Sequence, residues 1–429
     1  MVKTSEMLAT DNGNGRLLRS GLVAHMLDAR EHEVTWWMST FDHANRRNRA
    51  QRDMTVPFGQ RGTIRMLYSP GYRSSISVAR LRDHRYWGRA FAAATARAPP
   101  PDVIFCAYPT IESAAVCAEF GRVHQVPVVI DLRDMWPDIF AEVAPEFLRP
   151  VARLTLRPLR LRARAALRKA SALFAITEPF LEWGLRLARR PRNRWDAAYY
   201  LAYPRPAAES TYADQGAAAA FWDKHAVGRA GEFYAVLVGS MTERRFDMDT
   251  VIAAARLLQQ TGSAVTFILA GDGDDLPAYR ERARDCRNVI FPGWLSADQI
   301  RELLARAHVG LVPYRNTPDY VMSVPNKVGE YLAASLPVVS SLSGALADLL
   351  VQRNCGVQVE AQNAAALAEC LRDMQRDEPR RQLLAANARC AYLEELDAEH
   401  VYGRLVTRLE DIARARQHSE WPLQSPEHA

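Results

Sequence analysis

Short apolar runs alternate with longer amphipathic stretches along most of this chain. His32–Met38, Asp102–Cys106, Val126–Asp131 and Ala172–Ile176 form a first set, with helical patterns between them. The pattern then restarts with Tyr234–Gly239, Val265–Gly271, Val289–Phe291, Val309–Val312 and Leu336–Ser340. Runs that stay apolar, rather than alternating with polar residues, fit parallel strands buried on both faces. Between the two sets, Pro204–Gly216 is small and polar, as domain connections are. The expected fold is α/β, with two doubly wound Rossmann-like parallel-sheet domains and ligands at the carboxyl ends of the strands, in a cleft between the domains. The expected boundaries are 1–205 and 206–400, then a helix over 401–421 packing back on the N-terminal domain and a disordered tail over 422–429.

Charge adds an asymmetry to this plan. Residues 1–205 hold 32 Lys+Arg against 19 Asp+Glu, or +13, and the remainder holds 23 against 30, or −7, which sum to the net +6. The first domain is therefore expected to face something anionic: a membrane surface, a phosphorylated ligand or nucleic acid. Arg149, Arg153, Arg157, Arg160, Arg164 and Arg168 recur every three or four residues, which gathers them on one helical face, with Pro150 and Pro158 dividing the run. A basic helix of this kind suits anionic lipid, and a solvated surface face is the plainer alternative. Arginines at 46, 47, 49 and 52, and at 186, 189, 190, 192 and 194, reinforce the basic character. No apolar run is long enough to span a bilayer, and residues 1–30 lack the order of a signal peptide. The six cysteines form no CxxC pair, so they read as reduced thiols with neither a zinc site nor a disulfide framework.

Candidate chemistry clusters where strands end. In Ser323–Val339, Ser323 or Asn326 can cap a helix, Pro325 suits its first turn, and Val328, Tyr331 and Leu332 anchor one face. Lys327 then brings a point charge to a helix N-terminus that favours anions, and Glu330 can accept two hydroxyl hydrogen bonds from a sugar or ribose. A capped surface helix is the bland alternative. Arg244 or Arg245, in the loop opened by Gly239, can hold a phosphate bidentately. Gly271-Asp272-Gly273-Asp274 contains the Asp-x-Asp spacing of metal–diphosphate sites, yet reads better as a turn. Gly13 and Gly15, ahead of Arg16, would let backbone amides approach a diphosphate, although Leu18 stands where a dinucleotide fingerprint needs its third glycine. Asp131, Arg133, Asp134 and Trp136 follow an apolar strand and suit a polyhydroxylated acceptor, or else form an ion pair that closes a turn.

These pieces, in this order and together with Phe291-Pro292-Gly293-Trp294-Leu295, resemble the retaining family 4 glycosyltransferases of the GT-B fold, particularly bacterial O-antigen enzymes similar to the L-fucosamine transferases. The resemblance implies that Arg245 (or Arg244) and Lys327 neutralise a leaving diphosphate and that Asp134 meets the acceptor hydroxyl. It implies that Gly13, Gly15, Gly239, Arg244, Gly271, Gly273, Ser323, Asn326 and Glu330 surround the donor, with Glu330 on the ribose. Arg16, Asp131, Arg133 and Trp136 would then lie on the acceptor side, and Arg153, Arg157, Arg160, Arg164 and Arg168 against the membrane. The expected partners are a nucleoside diphosphate sugar (UDP by resemblance), a polyprenyl-diphosphate-linked glycan and the inner face of the cell membrane, with no metal, other cofactor or nucleic acid. Alternatives are a UDP-sugar epimerase of the same fold and a non-enzymatic anion-binding protein. Three positions depart from the family: Met322 where the Glu-x7-Glu pair has its first acid, Ser335 where glycine is usual, and a weak first strand.

Overall fold

A computed structural model describes residues 1–8, 11, 17–74, 77–142, 144–205, 212–229 and 231–417. Gly13, Gly15, Arg16 and the tail over 422–429 therefore lie outside the described residues. The chain divides into two compact units, Met1–Tyr200 with Val401–Ala429, and Leu201–His400.

The first unit holds strands β1 (Val34–Ser39), β2 (Met54–Phe58), β3 (Gly62–Leu67), β4 (Ile104–Tyr108), β5 (Val128–Leu132), β6 (Ala172–Ala175) and β7 (Ala197–Ala198). Three of them run β2-β3-β1 and four run β4-β5-β6-β7. The N-terminal segment joins these ladders, because Val2 pairs in parallel with both Trp37 and Cys106. Its backbone does a strand's work despite Lys3, Ser5 and Glu6: Val2 N–H reaches Phe105 O at 2.8 Å and Lys3 N–H reaches Trp37 O at 3.0 Å. Every residue of β4 and β5 is buried, as continuous apolar runs require. The β2–β3 hairpin, antiparallel at the edge, is an element the apolar-run pattern did not predict. Helices α1 (Arg19–Ala29), α2 (Val78–Thr95), α3 (Ile111–His124), α4 (Arg149–Thr155) and α5 (Arg157–Lys169) belong to this unit.

The second unit is a six-stranded parallel sheet of β8 (Phe233–Val238), β9 (Val265–Ala270), β10 (Val289–Ile290), β11 (Val309–Val312), β12 (Val338–Ser340) and β13 (Gly356–Gln358). The spatial order is β10-β9-β8-β11-β12-β13. Counted within the unit this is 3-2-1-4-5-6, so connections leave β8 and β11 in opposite directions and open a crevice at their carboxyl ends. Helix α6 (Met248–Gln260) follows β8, and α7 (Asn326–Ala333) precedes β12. Gly310 in β11 lets α7 pack closely, since a Cβ there would stand 2.3 Å from the Tyr331 ring. The last helix, α8 (Ala398–Gln417), buries Leu405, Val406, Leu409 and Ile412. Within the first unit, Arg30 reaches Glu410 at 3.1 Å.

Candidate functional site

In the second unit, the loops after β8 and β11 meet at the switch point. Asp247 N–H donates to Pro313 O at 2.8 Å and Arg315 N–H to Arg245 O at 3.0 Å, which sets Phe246 beside Tyr314. Their rings lie 4.8 Å apart at 64°. The Lys327 ammonium projects from the first turn of α7 onto both faces, 4.1 Å from Phe246 and 5.0 Å from Tyr314. It approaches Gly239 so closely that a Cβ there would stand 2.7 Å from Nζ. Lys327 is 8% exposed, and its Nζ has no hydrogen-bond partner among the described residues. Burial foremost, then the nearby Arg245 charge, lowers its pKa from 10.5 to about 7, against an upward pull from Glu330. An unbonded buried cation is costly, and an anion placed beside it would relieve that cost.

Glu330, one turn along α7, accepts a 3.1 Å hydrogen bond from the Tyr203 hydroxyl. Tyr331 accepts the Val238 N–H at 2.9 Å, which fixes α7 to the end of β8. Neither Ser323 nor Asn326 caps α7, contrary to the sequence reading. The cap position is Pro325, which has no acceptor side chain; buried Ser323 donates to Tyr320 O at 3.2 Å instead, and Asn326 is exposed. Among the described residues, the first-turn amides of α7 are thus left without a side-chain cap. Arg244 and Arg245 are both exposed, and it is Arg245 whose charge acts on Lys327. Gly271 and Gly273 continue the packing beyond the sheet: Gly239 N–H donates to Ala270 O at 2.9 Å and Met241 N–H to Asp272 O at 3.0 Å. At Gly271, φ is +140° and a Cβ would fall 1.8 Å from Gly239 O, so the glycine is demanded by close backbone approach. Within this stretch the turn takes in Asp274 and Asp275, ahead of a helix that starts at Leu276, with Asp275 accepting Glu243 N–H at 2.8 Å.

In the first unit, the acceptor-side residues have separate fates. Asp131 is fully buried and not presented to a ligand, a correction to the sequence reading: Arg19 binds both its oxygens, at 3.0 and 2.7 Å, and Arg133 adds a third contact at 2.7 Å. Burial pushes its carboxyl up, but the two guanidinium groups hold it below the usual range. Arg133 reaches Glu6 at 3.3 Å, which makes the group an internal ion-pair network. Trp136 is also buried, beneath the Arg80 guanidinium at 4.5 Å. Asp134 is exposed and acts on Lys3, whose pKa burial and Arg133 lower. Around them stand groups that no sequence motif marks. Tyr72 meets His43 Nδ1 at 2.9 Å, and His84 lies 5.6 Å from the Trp136 ring. Burial and the Arg80 charge hold both histidines neutral, lowered to about 4 and about 3. No local sequence signal joins residues so scattered.

The arginine stripe on α4 and α5 is partly neutralised from neighbouring segments. Arg153 pairs with Glu142 at 3.0 Å and Arg160 with Asp138 at 2.9 Å, while Arg164 donates to Leu187 O at 3.3 Å. Arg157 and Arg168 have no salt bridge or hydrogen bond among the described residues. The reinforcing arginines are also engaged in part: Arg190 holds buried Asp196 at 2.6 Å, Arg192 pairs with Glu178 at 2.8 Å, and Arg49 with Asp11 at 2.5 Å. Among the described residues no cluster of His, Cys, Asp or Glu is arranged to hold a metal ion, and no helix is long and apolar enough to cross a membrane.

Comparison with known proteins bears on the second unit most directly. The amylovoran biosynthesis glycosyltransferase AmsK of Erwinia amylovora is 27% identical over 183 residues, 41% of this chain and 44% of that protein. The chain thus spans less than half the length of that curated relative. Among solved structures, sucrose-phosphate synthase from Thermosynechococcus elongatus matches with a TM-score of 0.69 and 17% identity, over 92% of this chain and 93% of that one. HepE of Anabaena, solved in complex with UDP-glucose, matches with a TM-score of 0.62 and 15% identity, over 96% and 99%. Residues 232–377, which contain β8 through β13 and the Lys327 site, match the family described as glycosyl transferases group 1, and the chain has the GT-B fold of two Rossmann-like domains.

Proposed function

We propose that this protein is a hexosyltransferase that moves a sugar from a nucleoside diphosphate sugar, with UDP the favoured nucleotide, to a glycan carried on a polyprenyl diphosphate in bacterial surface polysaccharide synthesis. The observation that carries the reading is the buried Lys327 ammonium, without a hydrogen-bond partner among the described residues, beside Arg245 at the switch point of the second unit. A diphosphate leaving group develops negative charge as its bond to the anomeric carbon breaks. Fixed cations and uncapped helix amides lower that barrier because they are oriented before the reaction starts. Lys327, Arg245 and the first turn of α7 supply these groups, and Glu330, oriented by Tyr203, takes the ribose hydroxyls.

Transfer proceeds with retention: the acceptor oxygen bonds to the anomeric carbon on the face the diphosphate leaves, and the departing phosphate oxygen takes the acceptor proton. No dedicated nucleophile is then required, and Met322 need not act as the acid that the family has there. Asp134 positions the acceptor hydroxyl. The enzyme works in the cytoplasm against the inner face of the membrane, where a lipid-linked acceptor is presented. The UDP-glucose complex of HepE and the AmsK match support a nucleotide-sugar donor.

Thermal shift with UDP, GDP and dTDP sugars, run on the parent and on Glu330→Ala, tests the donor. A ligand at a hundred times its dissociation constant stabilises by about 2.7 kcal/mol. Stabilisation by one nucleotide class, lost in the variant, is expected; a folded parent that responds to none overturns the reading. Product formation that needs added lipid-linked glycan separates transfer from epimerisation, which needs no acceptor.

A further inference from the structure

Beside the arginines, α4 and α5 and the turn before them carry a second stripe. Phe147, Val151, Leu154, Pro158, Leu161 and Ala165 recur at spacings of four, three, four, three and four, which is the period of one helical face. All six are exposed to solvent, Phe147 at 79%, Val151 at 57%, Leu154 at 67% and Leu161 at 47%. The opposite face of α5 buries Ala163, Ala166 and Leu167 in the unit, so the helix is seated and its outer apolar side faces away from the core. An apolar stripe left in water along two successive ordered helices marks a contact surface.

Charge decides what that contact is. At 100° per residue, Arg153, Arg157, Arg160 and Arg164 border one side of the stripe and Arg162 borders the other. Arg157, Arg162 and Arg168 make no salt bridge or hydrogen bond among the described residues. Two copies meeting through this face would bring like charges together at its rim, which disfavours self-association. A nucleic acid would match the arginines but leave Phe147 and Leu154 in water. A bilayer with anionic headgroups matches both: guanidinium groups at phosphate depth, apolar side chains just below.

We infer that the stripe from Phe147 to Ala165 inserts at the headgroup–acyl boundary of an anionic membrane. The protein is held there by shallow insertion as well as by charge. This goes beyond attraction of the basic stripe, part of which is already neutralised by Glu142 and Asp138, and it does not rest on the transfer reading.

The test is sedimentation of the full chain with vesicles of phosphatidylglycerol and phosphatidylcholine, without nucleotide or glycan, in low and in high salt. Two variants accompany the parent, Phe147→Ser/Val151→Ser/Leu154→Ser and Arg157→Gln/Arg162→Gln/Arg168→Gln; every changed residue is exposed, so melting temperatures should match the parent. Each variant is expected to bind about tenfold more weakly or worse. High salt should abolish what binding the serine variant keeps and spare much of the parent's, because screening removes charge but not insertion. Parent-like binding by the serine variant overturns the inference, as does vesicle binding by the parent that salt removes completely. A concentration-dependent dimer in the parent that the serine variant loses would give this face to a second copy and likewise overturn it.

Discussion

Replacing Lys327 by methionine is expected to stabilise the ligand-free protein at and below neutral pH while weakening its hold on a diphosphate. The lysine pKa falls from 10.5 to about 7 in the fold. At about 1.4 kcal/mol per tenfold, that is a penalty on the order of 5 kcal/mol on the buried ammonium, partly offset by the two ring faces beneath it. Below pH 7 both the folded and the unfolded chain hold the proton, so the parent carries the full penalty. Between pH 7 and about 10.5 the unfolded chain binds more protons than the folded one, so parental stability rises with pH until the penalty is gone. Methionine has no such dependence and fills a similar volume. Denaturant melts should therefore favour the variant by about 1–4 kcal/mol at pH 6, as for other buried ions replaced by apolar groups, and the gap should close by pH 10. Saturating UDP should reverse the order at pH 7, because a bound diphosphate supplies the missing partner. At pH 8 the parent should also take up close to one proton on binding UDP, read by calorimetry in buffers of different ionisation enthalpy. A stability difference that does not change with pH, or a variant less stable than the parent at pH 6, would refute the assignment of Lys327 as an unpaired buried cation.

The two adjacent loop arginines should separate: titration calorimetry with UDP is expected to show Arg245→Ala weakened by about 1–3 kcal/mol and Arg244→Ala within about 0.5 kcal/mol of the parent. Gly271→Ala sets a methyl group against Gly239 O at a φ that disfavours side chains, so its melts should lose about 3 kcal/mol or more. Asp131→Asn leaves Arg19 and Arg133 buried without their carboxylate, at a loss of about 3–5 kcal/mol in chemical unfolding. The folded fraction of that variant should bind UDP as the parent does, since the lesion is structural; loss of nucleotide binding by folded protein would count against that.

Strand positions were legible because a parallel strand buried on both faces must be apolar throughout, a local requirement that composition alone can display. Expected runs and observed strands agree to within about two residues at β1, β4, β8 and β11. The pairing of Lys327 and Glu330 on one short helix was legible for the same reason, since three residues span nearly one turn. The N-terminal segment was harder to read, because its strand character comes from the two ladders that flank it, not from its own polar residues. Only tertiary structure could tell that Asp131 is neutralised by Arg19, 112 positions earlier, or that Phe246 and Tyr314 form the floor beneath Lys327. The same holds for the arginine helix. Spacing defined its faces, but which face meets solvent, and which arginines find a carboxylate on a neighbouring segment, depends on how distant parts of the chain close upon each other. Periodicity is a property of consecutive residues; burial and charge pairing belong to contacts between residues far apart in sequence, and those exist only once the chain has folded.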